Sequence, residues 1–249
     1  MTATETDLVL ERFVSAVQQT VPTVAVWAHG SLALGDFQPG RSDLDLLAIV
    51  ETTLNGDDRT RLAALHQRLL EEEPAAAKLH CSYIVRAVLP EAEADHFTWA
   101  HNHTLERPVT PVTRQELLQG GLTLYGPPAA ELLPPLLPGQ LEDFIRRDLR
   151  EFWLPATGKP LLWLRDIWVD LGLLVLARAT VTLRDGRLIT KGEALTELLE
   201  IGAPADVVRD IHARRYSTPV PISRPQRIRR AIRARAFVRR GIKRTLAMA

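Results

Sequence analysis

The stretch from His29 to Val50, HGSLALGDFQPGRSDLDLLAIV, constrains the fold of this chain more strongly than any other. It follows an apolar and β-branched run, residues 21–28, which is typical of a buried strand. A turn-rich passage with glycines and a proline then leads into residues 43–50, where polar and apolar residues first alternate and then become all apolar. The pattern predicts a strand, a turn with a short helix, and a second strand.

Four residues of this stretch have the chemistry of a phosphate and metal site. Gly30 lacks a Cβ, which lets backbone amides approach a ligand, and Ser31 adds a hydroxyl at a predicted helix N-terminus. Asp43 and Asp45 lie two apart on a strand and share a face, so they can bind a hard cation together. Either pair alone is more often a turn or a solvated strand edge. Both pairs in this order predict a metal-assisted nucleotide site.

The flanking segments predict a mixed α/β domain. The predicted elements are helices at 7–20 and 57–73, a strand at 78–88, and an irregular crossing or hairpin at 89–112. The strand alternates, so that His80 faces the side opposite Cys81. Cys81 is the only cysteine, which excludes an internal disulfide, and its neighbours predict a buried thiol.

A proline-dense passage, residues 126–138, separates this half from a helical one. The 249 residues of the chain suffice for two domains with separate cores. Apolar-striped segments predict helices at 141–152, 161–182, 191–200 and 204–216, with a hairpin-like turn at 184–187. We therefore expect an α+β protein with an α/β domain at 1–125, a helical domain at 139–220 and a basic helical tail at 221–249.

The formal net charge of +1 conceals a strongly basic C-terminus, since ten Lys or Arg and no acidic residue lie between Arg224 and Arg244. Such a segment suits nucleic acid, an anionic membrane or an acidic partner, although a solvated helix is the commoner explanation. No apolar run approaches a membrane span, and the N-terminus lacks the pattern of a signal peptide. We expect a cytoplasmic, monomeric protein.

The order of G-S at Gly30 and Ser31, a short helix, and D-x-D at Asp43 and Asp45 resembles the signature of the nucleotidyltransferase superfamily related to DNA polymerase beta. The resemblance implies a mixed sheet with flanking helices in the N-terminal domain. It also implies a transferase that uses a nucleoside triphosphate and Mg²⁺.

Three segments of the second half resemble the aminoglycoside adenylyltransferases that modify streptomycin and spectinomycin. They are LYGPP at 124–128, DLREFWLPATGKPLLWLRD at 148–166 and ARATVTLRDGRLITKGEAL at 177–195. The likeness to these enzymes implies a helical C-terminal domain, ATP as co-substrate and an aminoglycoside-like acceptor.

Site residues follow from the resemblance position by position. It implies that Asp43 and Asp45 bind Mg²⁺ and are catalytic. The positions that it assigns to the nucleotide are Ser31, Ser42, Arg178, Lys191 and Tyr216, and the missing Cβ adds Gly30 as a nucleotide-binding candidate. A guanidinium and a lysine are also the groups that chemistry favours for phosphate oxygens. Arg178 on a helix surface and Lys191 as a solvated or capping lysine are the structural alternatives.

The chain departs from this family at His80, where the resemblance places a glutamate that serves as general base. Histidine can accept a proton near neutral pH, so His80 is a candidate catalytic residue. It adds no negative charge beside Asp43 and Asp45, however, which weakens the expected metal site. The alternative is that His80 is a hydrogen-bonded strand residue in a protein with lost or altered activity.

The family binds its cationic substrate with aromatic and acidic residues. The sequence gives only candidates for these positions, chosen by residue type and location. The candidates by type and location are Trp99, Glu106, Asp166 and Asp170. Trp99 equally fits a core position, and Asp166 and Asp170 equally fit a solvated helix face. The spacing of His96, His101 and His103 gives little support to a zinc site.

The leading interpretation is transfer of AMP from ATP to a hydroxyl of an aminoglycoside-like molecule. One alternative is the same chemistry on a protein side chain or an RNA end, which the basic tail would suit. The other is a catalytically weakened nucleotide-binding protein, for which His80 is the main argument.

Overall fold

The computed structural model describes residues 3–91 and 94–247 of the chain. It divides into two compact units, Met1–Leu137 and Pro138–Ala249, named here the N-terminal and C-terminal units. The first is built on a sheet with flanking helices and the second is helical. The predicted α+β fold class is therefore confirmed.

A six-stranded mixed sheet forms the centre of the N-terminal unit. Its strands are β1 (Thr23–His29), β2 (Leu44–Val50), β3 (Leu79–Val85), β4 (Asp95–Ala100), β5 (His103–Pro108) and β6 (Leu122–Tyr125). They are arranged in the order β5-β4-β3-β2-β1-β6. β2 and β3 are parallel, while the other neighbours are antiparallel. The helices are α1 (Ala3–Thr20), α2 (Gly30–Ala33), α3 (Gly56–Glu72), α4 (Pro111–Gly120) and α5 (Ala129–Leu132), with 3₁₀ turns at Pro74–Lys78 and Arg86–Val88.

Apolar side chains cover both faces of the sheet. On β2, Leu44 and Leu46 belong to one buried cluster, whereas Leu47 and Ile49 belong to another on the opposite face. This arrangement follows from the two-residue period of a strand and explains why the second half of β2 is apolar throughout. Of the two arrangements expected at 89–112, an irregular crossing or a hairpin, the structure has a hairpin formed by β4 and β5.

The C-terminal unit consists of helices joined by short turns. They are α6 (Gln140–Asp148), α7 (Leu154–Ala156), α8 (Asp166–Asp185), α9 (Lys191–Glu200), α10 (Ala205–Tyr216) and α11 (Arg224–Ala247), with a π-helical turn at Leu149–Trp153 and a 3₁₀ turn at Pro160–Leu164. At the centre, Trp163 is fully buried and donates from Nε1 to the Ala156 carbonyl at 3.1 Å. Gly172 of α8 lies against its ring, where a Cβ would come within 2.5 Å of Trp163 Cη2.

Two expectations about this half were wrong. The predicted hairpin-like turn at 184–187 is instead the end of α8, which runs to Asp185 and stops at Gly186 with φ of 69°. The basic segment is not a separate tail, because α11 buries Ala234, Val238 and Ile242 within the C-terminal unit. Within the described part of the chain, no helix is both long and apolar enough to span a membrane.

Candidate active site

Three polar side chains meet where β2 and β3 begin. Leu44 and Leu46 point into the core, so Asp43 and Asp45 lie on the opposite side with partly exposed carboxylates. His80 is the register partner of Asp45 on the parallel strand β3. Its Nδ1 lies 3.5 Å from Asp45 Oδ1, and the His80 ring is buried. The structure therefore brings the three predicted catalytic residues together.

The room for Asp45 depends on Gly30. Gly30 has φ of 64°, and a Cβ built there would lie 2.8 Å from Asp45 Oδ2. Any other residue would have to adopt a strained left-handed conformation, and its Cβ would also clash with the Asp45 carboxylate. The G-S and D-x-D motifs, separated by a dozen residues in sequence, thus form one site.

Lys78 and His101 also border this site and were not predicted for it. Lys78 Nζ lies 3.3 Å from Asp43 Oδ1. The His101 ring lies edge-on to His80, with centroids 4.6 Å apart. Burial and the neighbouring His80 lower the pKa of His101, while Asp43 acts in the opposite direction. The two-residue spacing of Lys78 and His80 on the strand predicted at 78–88 could have signalled Lys78, but the approach of His101 depends on the β4–β5 hairpin.

The two predicted phosphate-contacting serines are placed differently. Ser31 is partly exposed in α2, which is only one turn long, so the structure gives little support to a helix-dipole contribution. Ser42 is buried, and its Oγ accepts a hydrogen bond from the Gln38 amide at 3.0 Å. This hydrogen bond closes the loop directly before Asp43, so the Ser42 hydroxyl stabilises the backbone that positions Asp43.

A buried histidine–carboxylate pair involves the residue directly before Gly30. His29 Nδ1 lies 3.2 Å from Glu116 Oε2, and both side chains are buried. Glu116 belongs to α4, which packs on β1 and α2. The contact joins residues 87 positions apart in sequence, and no local pattern could have indicated it.

The predicted nucleotide residues of the C-terminal unit lie on its own helices. Arg178 of α8 donates from Nε to the Ile189 carbonyl at 2.9 Å. Lys191 is the first residue of α9, directly after the N-cap Thr190. This hydrogen bond places Arg178 beside the turn that leads into Lys191. Tyr216 ends α10, where its hydroxyl accepts a hydrogen bond from Arg215 Nε at 3.0 Å.

The structure gives Trp99 and Glu106 other roles than substrate contact. Trp99 is 3% exposed and stacks on His66 with ring centroids 4.9 Å apart. It is a core residue. Glu106 is exposed on β5 and forms an ion pair with Arg59 of α3 at 2.6 Å.

Asp166 and Asp170 belong to an ion-pair network and not to an open helix face. Arg214 of α10 donates to both oxygens of Asp170, at 3.0 and 2.6 Å. Arg230 of α11 bonds Asp166 and also Asp210, the latter at 2.6 Å. Burial alone would raise the pKa of Asp210, but hydrogen bonds from Arg214 and Arg230 hold it below its usual value. These carboxylates join α8, α10 and α11.

The side chains of the described residues do not form a complete metal site. Among residues 3–91 and 94–247, no group of three or more His, Cys, Asp or Glu side chains could hold a metal ion. Mg²⁺ commonly binds through one or two carboxylates together with substrate phosphates. Asp43 and Asp45 fit that arrangement, in which the nucleotide completes the coordination.

Comparison with known proteins agrees with this geometry. Residues 10–99 match the family model described as Nucleotidyltransferase domain. This part of the N-terminal unit is therefore a nucleotidyltransferase domain, and the chain is an enzyme that transfers nucleotides. The matched residues include the G-S turn, both aspartates and His80.

The whole chain is also similar in structure to a solved enzyme. This is the spectinomycin adenyltransferase AAD(9) from Enterococcus faecialis, whose crystal structure was determined with ATP and spectinomycin. The match has a TM-score of 0.68 and covers 93% of this chain and 98% of that one, with 14% sequence identity. At this identity the likeness establishes a shared fold. No curated protein sequence matches the chain significantly.

Proposed function

We propose that this enzyme transfers AMP from ATP to a hydroxyl of an aminoglycoside-like small molecule, with Mg²⁺ held by Asp43 and Asp45. The observation that carries the proposal is the pair of partly exposed carboxylates on a nucleotidyltransferase domain, beside a glycine that leaves room for one of them. When bound, the metal neutralises charge on the transferred group. The acceptor class is supported by the shared fold with an enzyme crystallised with ATP and spectinomycin.

The proposed reaction forms a bond between the acceptor oxygen and the α-phosphorus of ATP. The bond from that phosphorus to the bridging oxygen breaks, and pyrophosphate leaves. His80 accepts the hydroxyl proton, since it is a buried basic side chain whose Nδ1 lies 3.5 Å from Asp45 Oδ1. We further propose that Ser31, Arg178 and Lys191 contact the phosphates and that Tyr216 lies beside the nucleotide.

The central test follows AMP transfer by mass spectrometry with ATP, Mg²⁺ and either streptomycin or spectinomycin. We expect the double variant Asp43→Asn/Asp45→Asn to lose at least about 10³-fold in kcat/KM, because charge neutralisation is the main catalytic contribution. Asp57→Asn is the matched control, since this exposed carboxylate lies on α3. Full activity in the double variant would refute the metal site.

A second experiment addresses His80. We expect His80→Ala to lower kcat by about 10²-fold while KM for ATP changes little, because proton transfer contributes that much in many enzymes. His80→Glu should restore part of the rate by supplying the carboxylate that the family carries. An unchanged rate in His80→Ala would assign the residue a structural role.

Two alternatives are tested by the same assay. Transfer to a protein or RNA acceptor is favoured by the basic helix α11, and AMP detected on added protein or RNA, and not on the drug, would establish it. Nucleotide binding with little turnover is favoured by His80 in place of glutamate. ATP binding without any adenylylated product would establish that function.

A further inference from the structure

A cavity of about 760 Å³ lies inside the C-terminal unit, between α6, α8, α11 and the turn after α9. Its lining residues are Arg146, Leu176, Thr180, Leu183, Arg184, Glu200, Ile201, Gly202, Gly241, Arg244 and Thr245. Pockets of roughly 300–1,000 Å³ are typical of small-molecule sites. The cavity is therefore large enough for an organic ligand.

The cavity is distinct from the proposed nucleotide contacts. Leu176, Thr180 and Leu183 line it from one face of α8, at the spacing expected for a single helix face. Arg178 is two residues beyond Leu176, which places it about 200° around the helix. Its Nε accordingly bonds the Ile189 carbonyl before α9. A ligand in the cavity would occupy the other side of α8.

The lining carries an excess of positive charge, with three arginines against one glutamate. Within the part of the chain that the structure describes, Arg244 makes no hydrogen bond or ion pair, and Arg146 has a buried Nε without a partner. A terminal nitrogen of Arg146 lies 3.5 Å from Asp143, whereas Arg184 is bound by Asp185 and Glu197. The Nε of Arg146 is enclosed by protein, but the side chain is 30% exposed, so Arg244 and the terminal nitrogens of Arg146 retain donors for an anion.

Aliphatic side chains and two threonines form much of the remaining lining. Leu176, Leu183 and Ile201 supply aliphatic surface. Gly241 allows α11 to approach α8, since a Cβ there would lie 2.4 Å from Leu176 Cδ2. The hydroxyls of Thr180 and Thr245, 3.1 Å apart, join the same two helices. These contacts fix α8 against α11, so this side of the cavity is formed before a ligand binds.

We propose that this cavity binds a small organic anion with an apolar body, of the aryl phosphate or aryl carboxylate class. Arg244 and Arg146 contact the anionic group, and Leu176, Leu183 and Ile201 pack against the body. The combination of guanidinium donors with aliphatic walls selects such a molecule over a bare anion or a neutral hydrocarbon. This site is independent of the nucleotide-transfer reaction.

The test uses isothermal titration of the full-length protein with 1-naphthyl phosphate. We expect saturable binding with Kd below about 1 mM. 1-Naphthylmethylammonium, which has the same body and the opposite charge, should bind at least about tenfold more weakly. Arg244→Gln should lower the affinity for the phosphate about tenfold or more, because it removes a charge-assisted hydrogen bond.

Three control variants locate the binding site. Arg240→Gln removes an exposed charge from the same helix outside the cavity and should leave the affinity within about twofold. Leu183→Trp should block binding by filling the cavity. Asp43→Asn/Asp45→Asn should bind normally, which separates this site from the proposed catalytic one. No saturable binding, equal binding of the cation, or unchanged affinity in Arg244→Gln would overturn the proposal.

Discussion

In the N-terminal unit, the side chains of Asp43 and Asp45 are 43% and 30% exposed, whereas Asp170 and Asp210 of the C-terminal unit are 21% and 16% exposed and bound by Arg214. Asp43 lies 3.3 Å from Lys78 and Asp45 lies 3.5 Å from His80, while the second pair shares short hydrogen-bonded ion pairs. Accessible carboxylates can bind a cation, and carboxylates already bound by guanidinium groups stabilise the packing of helices. The difference in exposure and in basic partners therefore distinguishes the candidate catalytic carboxylates from those with a structural role.

The largest expected difference concerns stability. Asp170→Ala should lower the free energy of unfolding by about 3 kcal/mol, because it leaves the largely buried Arg214 without its bidentate partner. Asp43→Ala should change it by less than about 0.5 kcal/mol, since Asp43 is more exposed and lies outside the core. Urea unfolding monitored by circular dichroism measures both. Equal losses in the two variants would remove the distinction between the pairs.

A double variant sharpens this result. Asp170→Ala/Arg214→Ala removes both charges, so it should cost less than the sum of the single losses. The difference between the double-variant loss and the summed single losses measures the interaction energy between Asp170 and Arg214. Strict additivity would show that the two side chains act independently.

Two glycines in the left-handed region give the next comparison. Gly30→Ala should cost about 2 kcal/mol and abolish AMP transfer, because the backbone is strained and the new Cβ displaces Asp45. Gly186→Ala meets open space and should cost only about 1 kcal/mol, with activity retained. Unfolding curves and the transfer assay measure both effects. Normal transfer in Gly30→Ala would contradict the proposed link between the two motifs.

The smallest predicted effect is a pH dependence in the N-terminal core. His66 is buried between Tyr83 and Trp99, and burial lowers its pKa from 6.5 to about 3. The unfolded chain therefore binds a proton that the folded chain excludes, so stability falls as pH drops below about 6.5. Between pH 7.5 and 5.5 the loss should be about 1.4 kcal/mol.

His66→Gln is the variant that isolates this effect. Glutamine keeps a hydrogen-bond acceptor for Tyr83 but does not titrate, so the variant should lose this part of the pH dependence. Urea unfolding at the two pH values provides the measurement. An equal pH dependence in the variant would show that His66 is not the responsible group.

Sequence patterns predicted local structure well where one physical rule dominated. The alternation on β2 and β3 placed Asp45 and His80 correctly, since side chains on a strand change face at every residue. The turn at 184–187 was predicted wrongly because Gly186 can end either a hairpin or a helix. The arginines of α11 gave no sign of the face that packs into the C-terminal unit.

The acceptor candidates show why the site could only partly be predicted. Trp99 and Asp170 had the right residue types, but tertiary packing placed one against His66 and bound the other to Arg214, 44 residues away. The sequence by itself determined the nucleotidyltransferase motif, the order of most elements and the identity of Asp43 and Asp45. Tertiary structure decided which carboxylates stay accessible, that Gly30 and Asp45 share one site, and that a cationic cavity lies behind α8. Such features depend on contacts between distant residues, which no local pattern encodes.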